Sequence, residues 1–173
     1  MGWRVAWFKV HKPLAYYAAY FGIRASAFSY EIMCRGKERL DIALTELFKK
    51  HRRINRRKKD QDTIRDGRIA QEMYARGFEF MPIDIYKAKA RECQIIDGKI
   101  MPPLSSVEGL GDKACEQVEE AAKHGPFTSL ENFRNQAKVS KTNVDKMVEL
   151  GILTGLPETD QLTFDFFMAQ SQV

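Results

Sequence analysis

The chain is poor in the residues that build metal centres and disulfide frameworks: it has three cysteines and three histidines in 173 residues. Cys34, Cys93 and Cys115 are odd in number, far apart and without a C-x-x-C pair, which suits reduced thiols in a cytoplasmic protein. His11, His51 and His124 are equally scattered, so no zinc site is expected. No apolar run approaches the roughly 20 residues that span a bilayer. The start, Met-Gly-Trp-Arg-Val-Ala-Trp-Phe-Lys-Val, lacks the apolar core of a signal peptide, and Ala6 stands where a myristoylation signal calls for Ser or Thr. With 44% hydrophobic and 29% charged residues, global disorder is excluded. The length admits one ordinary domain or two small ones.

What is present is basic charge, unevenly placed. The net charge is +5, yet the stretch from Arg35 to Arg68 alone holds thirteen Lys or Arg against six Asp or Glu. Within it runs Lys49-Lys50-His51-Arg52-Arg53-Ile54-Asn55-Arg56-Arg57-Lys58-Lys59. From Leu156 to Val173 there is no base and there are three acids. A run this dense in one sign can neutralise phosphates and release their counterions. Arg52, Arg53, Arg56 and Arg57 are the candidate contacts, and a merely solvated helix face is the competing reading.

Periodicity predicts a mainly α chain with a minor β-hairpin. Residues 13–22 read as a helix with Pro13 in its first turn and Gly22 at its end. Tyr16, Tyr17, Tyr20 and Phe21 form one stripe on it, better suited to a core than to base stacking. A second helix covers 37–53 through Leu40, Ala43, Leu44, Leu47 and Phe48. A third covers about 60–76, with Ile64, Ile69, Met73 and Tyr74 on one side, and stops at Gly77. Residues 78–85 suit a short extended segment, and 94–101 a hairpin turning at Asp97-Gly98. Pro102-Pro103 marks a subdomain boundary. Beyond it a helix at 112–124 ends at Gly125-Pro126, and Ser129 caps a further helix. A helix at 140–150, capped by Ser140 or Thr142, presents Val144, Met147, Val148 and Leu150, and Gly151 closes it. Leu156-Pro157 ends the folded part.

The most informative stretch is Pro102-Pro103-Leu104-Ser105-Ser106-Val107-Glu108-Gly109-Leu110-Gly111-Asp112-Lys113-Ala114. A hydrophobic residue, a Gly-Leu-Gly turn and a helix opening with Lys and Ala make the core of a helix-hairpin-helix unit. Both glycines are expected to allow φ > 0 and close approach of a partner. Amides of Gly109, Leu110 and Gly111 at a helix start, with Lys113, would hold a nucleic-acid phosphate without reading sequence. An ordinary Gly-rich helix start is the bland alternative. The second unit, 127–150, has hairpin-like size but no G-x-G, so it is expected to supply packing more than phosphate contacts.

These residues together resemble a known family. Arg4-Val5-Ala6-Trp7-Phe8-Lys9-Val10-His11-Lys12-Pro13-Leu14-Ala15-Tyr16-Tyr17-Ala18-Ala19-Tyr20-Phe21, Arg76-Gly77-Phe78, Asp84-Ile85-Tyr86-Lys87, the Pro-Pro-Leu…Gly-Leu-Gly segment, Gly125-Pro126-Phe127-Thr128-Ser129 and Leu156-Pro157-Glu158-Thr159-Asp160-Gln161-Leu162 occur in its order. The chain is similar, over residues 4–167, to the C-terminal part of bacterial family C replicative DNA polymerases of the Gram-positive PolC type, the DNA polymerase III alpha subunits. The resemblance implies three parts: 1–101, a helical end of the polymerase fingers; 102–157, a tandem helix-hairpin-helix duplex-binding domain; and 158–173, a flexible tail with a clamp-binding peptide. The partners it implies are primer-template duplex, the sliding clamp and the rest of the polymerase, in the cytoplasm, with no membrane.

The family are nucleotidyltransferases whose Mg²⁺-holding carboxylates sit in an upstream palm. No such set is present here; Asp84 is the one carboxylate to consider, and it lacks a partner two residues away. No catalytic or metal residue and no cofactor is therefore assigned, and the chain is expected to be a polymerase portion that does not polymerise alone. In the tail, Gln161-Leu162-Thr163-Phe164-Asp165-Phe166-Phe167 resembles the family's clamp-binding motif, with Gln161, Leu162, Phe164, Phe166 and Phe167 as contacts. It departs in having Phe164 where Leu is usual and six residues after Phe167. A tail that packs back on the domain is the competing reading of these residues. A free-standing helix-hairpin-helix DNA-binding adaptor or regulator is the competing reading of the whole chain.

Overall fold

In the computed structural model, residues 2–53 and 58–159 are described, with only the backbone given for 50–53. Helix α1 (Gly2–His11) leads into α2 (Pro13–Ala19), whose last turn widens into a π-helical turn, Tyr20–Arg24. A short α3 (Tyr30–Met33) precedes two long antiparallel helices, α4 (Lys37–Arg53) and α5 (Lys58–Ala75). After an extended stretch come β1 (Gln94–Ile96) and β2 (Lys99–Met101), then a 3₁₀ turn, Leu104–Ser106. Helices α6 (Asp112–Ala122), α7 (Leu130–Ala137) and α8 (Lys141–Glu149) complete the described part.

The α4–α5 pair forms because each helix carries an apolar stripe at helical spacing. Leu40 and Leu44 on α4 are buried, as are Ile64, Ala70 and Met73 on α5. Gly67 lies where the two approach most closely: a Cβ there would stand 2.7 Å from Leu44 Cδ2. The α4 bounds match the sequence expectation, and α5 ends just before Gly77, which takes φ +83. Phe48 and Val148, both expected to face inward, remain 37% and 40% exposed.

The aromatic stripe of α2 does enter the core. Tyr17 and Phe21 are buried, and Phe21 packs with Phe28 and Phe80 at 4.7 and 5.1 Å between ring centres. Gly22 does not end this helix, as the sequence suggested. It sits inside the π turn beneath Cys93, where a Cβ would be 3.5 Å from the Cys93 backbone nitrogen. Its small size serves close approach, not termination.

Asp66 on α5 is a polar centre in the core. Its carboxylate is fully buried and accepts from Tyr20 Oη at 2.8 Å and from the backbone amides of Ser26 and Ala27, both at 2.9 Å. Four-residue helices and open loops have little internal bonding, so this carboxylate fixes the 25–29 segment that links α2 to α3.

The β1–β2 hairpin turns at Asp97 and Gly98 with φ +49 and +73, the mirror-image turn that matches strand twist. The expected extended segment lies alongside: the Met81 amide donates to Ile100 O at 2.9 Å, and the Ile100 amide to Glu79 O at 3.0 Å. Pro102 and Pro103 that follow are buried. The core continues across them through Leu104, Val107 and Val118 to Phe133 and Met147. Leu104 and Ser105 amides bond back to Lys89 and Ala90 carbonyls at 2.9 Å each. The Ala90 amide in turn donates to Glu119 on α6 at 2.7 Å.

Ser129 and Ser140 cap α7 and α8, their Oγ atoms accepting from the Asn132 and Asn143 amides at 3.0 and 3.2 Å. Gly151 closes α8 with φ +77. The chain does not leave the fold at Leu156-Pro157. The carbonyls of Pro157 and Glu158 accept from the Leu130 and Glu131 amides at 2.9 and 3.2 Å, because the first amides of α7 need acceptors.

Candidate nucleic-acid interface

The Gly-Leu-Gly segment is built as a hairpin on a helix start. The Val107 amide closes the 3₁₀ turn onto Leu104 O at 3.1 Å, and the Leu110 amide closes the next onto Val107 O at 3.2 Å. Val107, Leu110, Cys115 and Val118 plug their side chains into the core. This anchors the turn from within and leaves its backbone outside.

Two sequence expectations change here. Only Gly109 takes positive φ, at +91; Gly111 has φ −68 and ψ 160, extended backbone open to any residue. Leu110 is also unavailable as a donor, its amide being spent on Val107 and its side chain being 7% exposed. A tight turn uses its own middle amide to close, which the residue types alone do not reveal.

What remains open is substantial. Gly111 is the N-cap of α6 and provides no side-chain acceptor, unlike Ser129 and Ser140 at α7 and α8. Among the described residues, the amides of Gly109, Gly111, Asp112, Lys113 and Ala114 meet no protein acceptor. A Cβ at Gly109 or Gly111 would meet nothing within 4 Å. Free amides, clear space and the positive end of a helix dipole together favour an anion.

The carboxylates around this site are held by cations. Glu108 pairs with Lys59 at 3.0 Å, which holds its carboxyl below the usual range. Asp112 and Glu116 both pair with Arg91, at 3.4 and 3.0 Å. Lys113 is exposed and pairs with no carboxylate among the described residues. Locally, three acids meet three bases, so net positive potential has to come from beyond the hairpin.

The described end of the basic run lies beside the hairpin. Lys58 and Lys59 open α5, and the Lys59–Glu108 pair places this end of the run directly beside Gly109. Arg52 and Arg53 end α4, with only their backbone described. Arg56 and Arg57 lie outside the described residues. The clamp-motif residues Gln161, Leu162, Phe164, Phe166 and Phe167 lie outside them too.

The second unit repeats the first in backbone. Lys138 takes the left-handed conformation at φ 53, Val139 is buried, and Ser140 caps α8 at φ −70 and ψ 154. Gly109, Leu110 and Gly111 follow the same order of left-handed, buried and extended. The two differ in chemistry: Ser140 fills one amide that Gly111 leaves open, while Lys138 and Lys141 stand exposed. The sequence concealed this equivalence because a left-handed lysine carries no glycine signature; the cap serine before Lys141 was its one trace.

Asp84 turns out to be structural. It accepts from the Tyr86 amide at 3.0 Å and pairs with Lys87 at 3.6 Å, closing its own turn. Among the described residues no three His, Cys, Asp or Glu side chains gather as a metal site. Cys34 and Cys115 are buried and Cys93 half-buried; burial pushes the Cys93 and Cys115 thiols up to about 12 and about 11. They are not reactive thiolates at neutral pH. No described helix is long and apolar enough to cross a membrane.

Comparison with known proteins agrees with this geometry. The family described as "Helix-hairpin-helix motif" matches residues 77–162, which include both hairpins. The DNA polymerase III PolC-type protein of Caldanaerobacter subterraneus is 37% identical over 163 residues, covering 94% of this chain. Those of Streptococcus sanguinis and Streptococcus pyogenes are 39% and 38% identical, each covering 96% of it. The chain is homologous over nearly its whole length to PolC-type DNA polymerase III proteins. It spans about 12% of the length of those PolC-type relatives.

Proposed function

We propose that this chain is the duplex-binding C-terminal portion of a bacterial replicative DNA polymerase, holding primer-template DNA by its backbone and tethered to the sliding clamp by its tail. The observation that carries this reading is the uncapped start of α6. Its free amides lie beside Lys113 and beside the Lys59 end of the basic run. A phosphate seated there would accept charge-assisted hydrogen bonds from groups that no described protein atom satisfies. The second hairpin, with Lys138 and Lys141, offers the same backbone shape to a neighbouring phosphate at lower amide capacity. Base edges are not read by such contacts, so binding is blind to sequence.

The palm carboxylates of the family are not among these residues, and the chain contributes grip rather than chemistry. The tail peptide, with Gln161 at the groove edge and Phe166 or Phe167 in the pocket, supplies processivity by adding a second weak contact to the first. Fluorescence anisotropy on two unrelated duplexes of equal length tests the DNA part. The affinities should agree within a factor of about three; a tenfold preference, equivalent to about 1.4 kcal/mol, overturns backbone recognition.

A further inference from the structure

Helix α1 is apolar over most of its surface, with Arg4, Lys9 and His11 the exceptions, yet none of its residues is buried. Trp3 is 82% exposed and Val10 68%, and Val5, Trp7 and Phe8 are exposed as well. A contiguous exposed apolar patch of this kind marks an interface. Trp3, Trp7 and Val10 fall on one side at helical spacing. Val5 and Phe8 fall on another, over a trough of about 890 Å³ floored by Tyr16, Ala19 and Tyr20 and edged by Ile23.

The helix is nevertheless held in place. Lys9 Nζ reaches Glu72 at 2.8 Å, and Arg76 donates to the Lys9 carbonyl at 3.0 Å. Burial would raise Glu72, but bonds from the Lys9 ammonium and Tyr17 hydroxyl outweigh it and keep the carboxylate charged. These polar ties fix an apolar surface that the described residues leave open. Arg4 and Arg24 flank the trough, and neither pairs with a carboxylate among the described residues.

We propose that α1 and its trough form an interface for an apolar segment, acidic at its margins, of the polymerase polypeptide outside this chain. This rests on the polymerase reading above. The chain spans only 12% of each PolC-type relative, so most of the polypeptide that could cover the patch lies elsewhere. The two arginines at the rim call for carboxylates on that occupant.

Both tryptophans of the chain, Trp3 and Trp7, lie on α1, so they report the interface directly. In the isolated chain, iodide should quench both freely. The chain is then grafted into the S. sanguinis polymerase in place of its matched stretch, and hydrogen exchange of residues 2–11 is compared with the isolated chain. Exchange should slow at least tenfold in the graft, and Trp3→Glu with Val10→Glu should restore most of the isolated rate. Duplex affinity of the isolated Trp3→Glu, Val10→Glu variant should stay within twofold of the parent. That arm separates failure of this interface from failure of DNA binding. Equal exchange in graft and isolated chain overturns the proposal. So does quenching protection in the isolated chain, whether it depends on chain concentration, on residues 160–173, or on added anionic phosphatidylglycerol vesicles.

Discussion

Gly109 and Gly111 sit two residues apart in one turn and should respond to substitution in opposite ways. Gly109 has φ +91, where an L side chain is strained, and space around its missing Cβ is open. Gly109→Ala therefore costs about 1–2 kcal/mol of backbone strain and little else. For a chain of this size that lowers Tm by about 2–8 °C. Gly111 has φ −68, so Gly111→Val keeps the backbone and loses only N-cap quality, about 0.5–1 kcal/mol. The added isopropyl group, however, stands in the open space beside the amides of Asp112 and Lys113. Losing one charge-assisted amide–phosphate bond is worth about 1.5–3 kcal/mol, so duplex affinity should fall at least tenfold. Thermal melts followed by circular dichroism and anisotropy titrations on one duplex measure both effects. The reasoning fails if Gly111→Val binds DNA like the parent, or if Gly109→Ala leaves Tm unchanged.

Asp66→Ala should cost at least about 3 kcal/mol in chemical denaturation, since it orphans the Ser26 and Ala27 amides and the Tyr20 hydroxyl together; a loss under 1 kcal/mol would mean that water replaces the carboxylate. Glu72, Glu108 and Glu119 have carboxyls held below the usual 4.5, so the unfolded chain binds more protons than the folded one as pH falls through that range. Stability should thus be level above about pH 5 and drop below it. Lys9→Gln should soften that drop, and an unchanged acid limb would discount the Lys9–Glu72 pair. A synthetic peptide of residues 158–173 should bind purified sliding clamp at about micromolar affinity by calorimetry. Gln161→Ala with Phe166→Ala should abolish that binding, and equal heats from both peptides would remove the tail as a clamp ligand.

Much of the fold was legible because local chemistry and tertiary packing agree. The Asp97-Gly98 turn, the Ser129 and Ser140 caps and the closing Gly151 each follow from what one residue type can do with its backbone. The 37–53 helix was legible through its stripe. Helix α1 was not, because its Trp, Val and Phe residues fall on more than one side and leave no single apolar stripe. Asp66 was unreadable as a core residue since two of its partners are loop amides some forty positions away and a third is the Tyr20 hydroxyl. The hairpin site was legible in position and wrong in detail: Gly-Leu-Gly marks the turn, but which amide closes it depends on the path of Val107. The second hairpin was legible in size but not in backbone shape, because its left-handed residue, Lys138, is not a glycine.

The central claim is that this chain grips duplex DNA through phosphates, at the α6 start and the adjoining basic run. The most direct measurement is duplex affinity against salt between about 50 and 200 mM, for the parent chain and for Arg52→Gln, Arg53→Gln, Arg56→Gln, Arg57→Gln combined. Each arginine that neutralises a phosphate should steepen the logarithmic salt slope by about 0.9, so the quadruple variant should show a slope several units shallower while its melting curve is retained. A parent affinity insensitive to salt, or a slope unchanged by removing the four arginines, would contradict it.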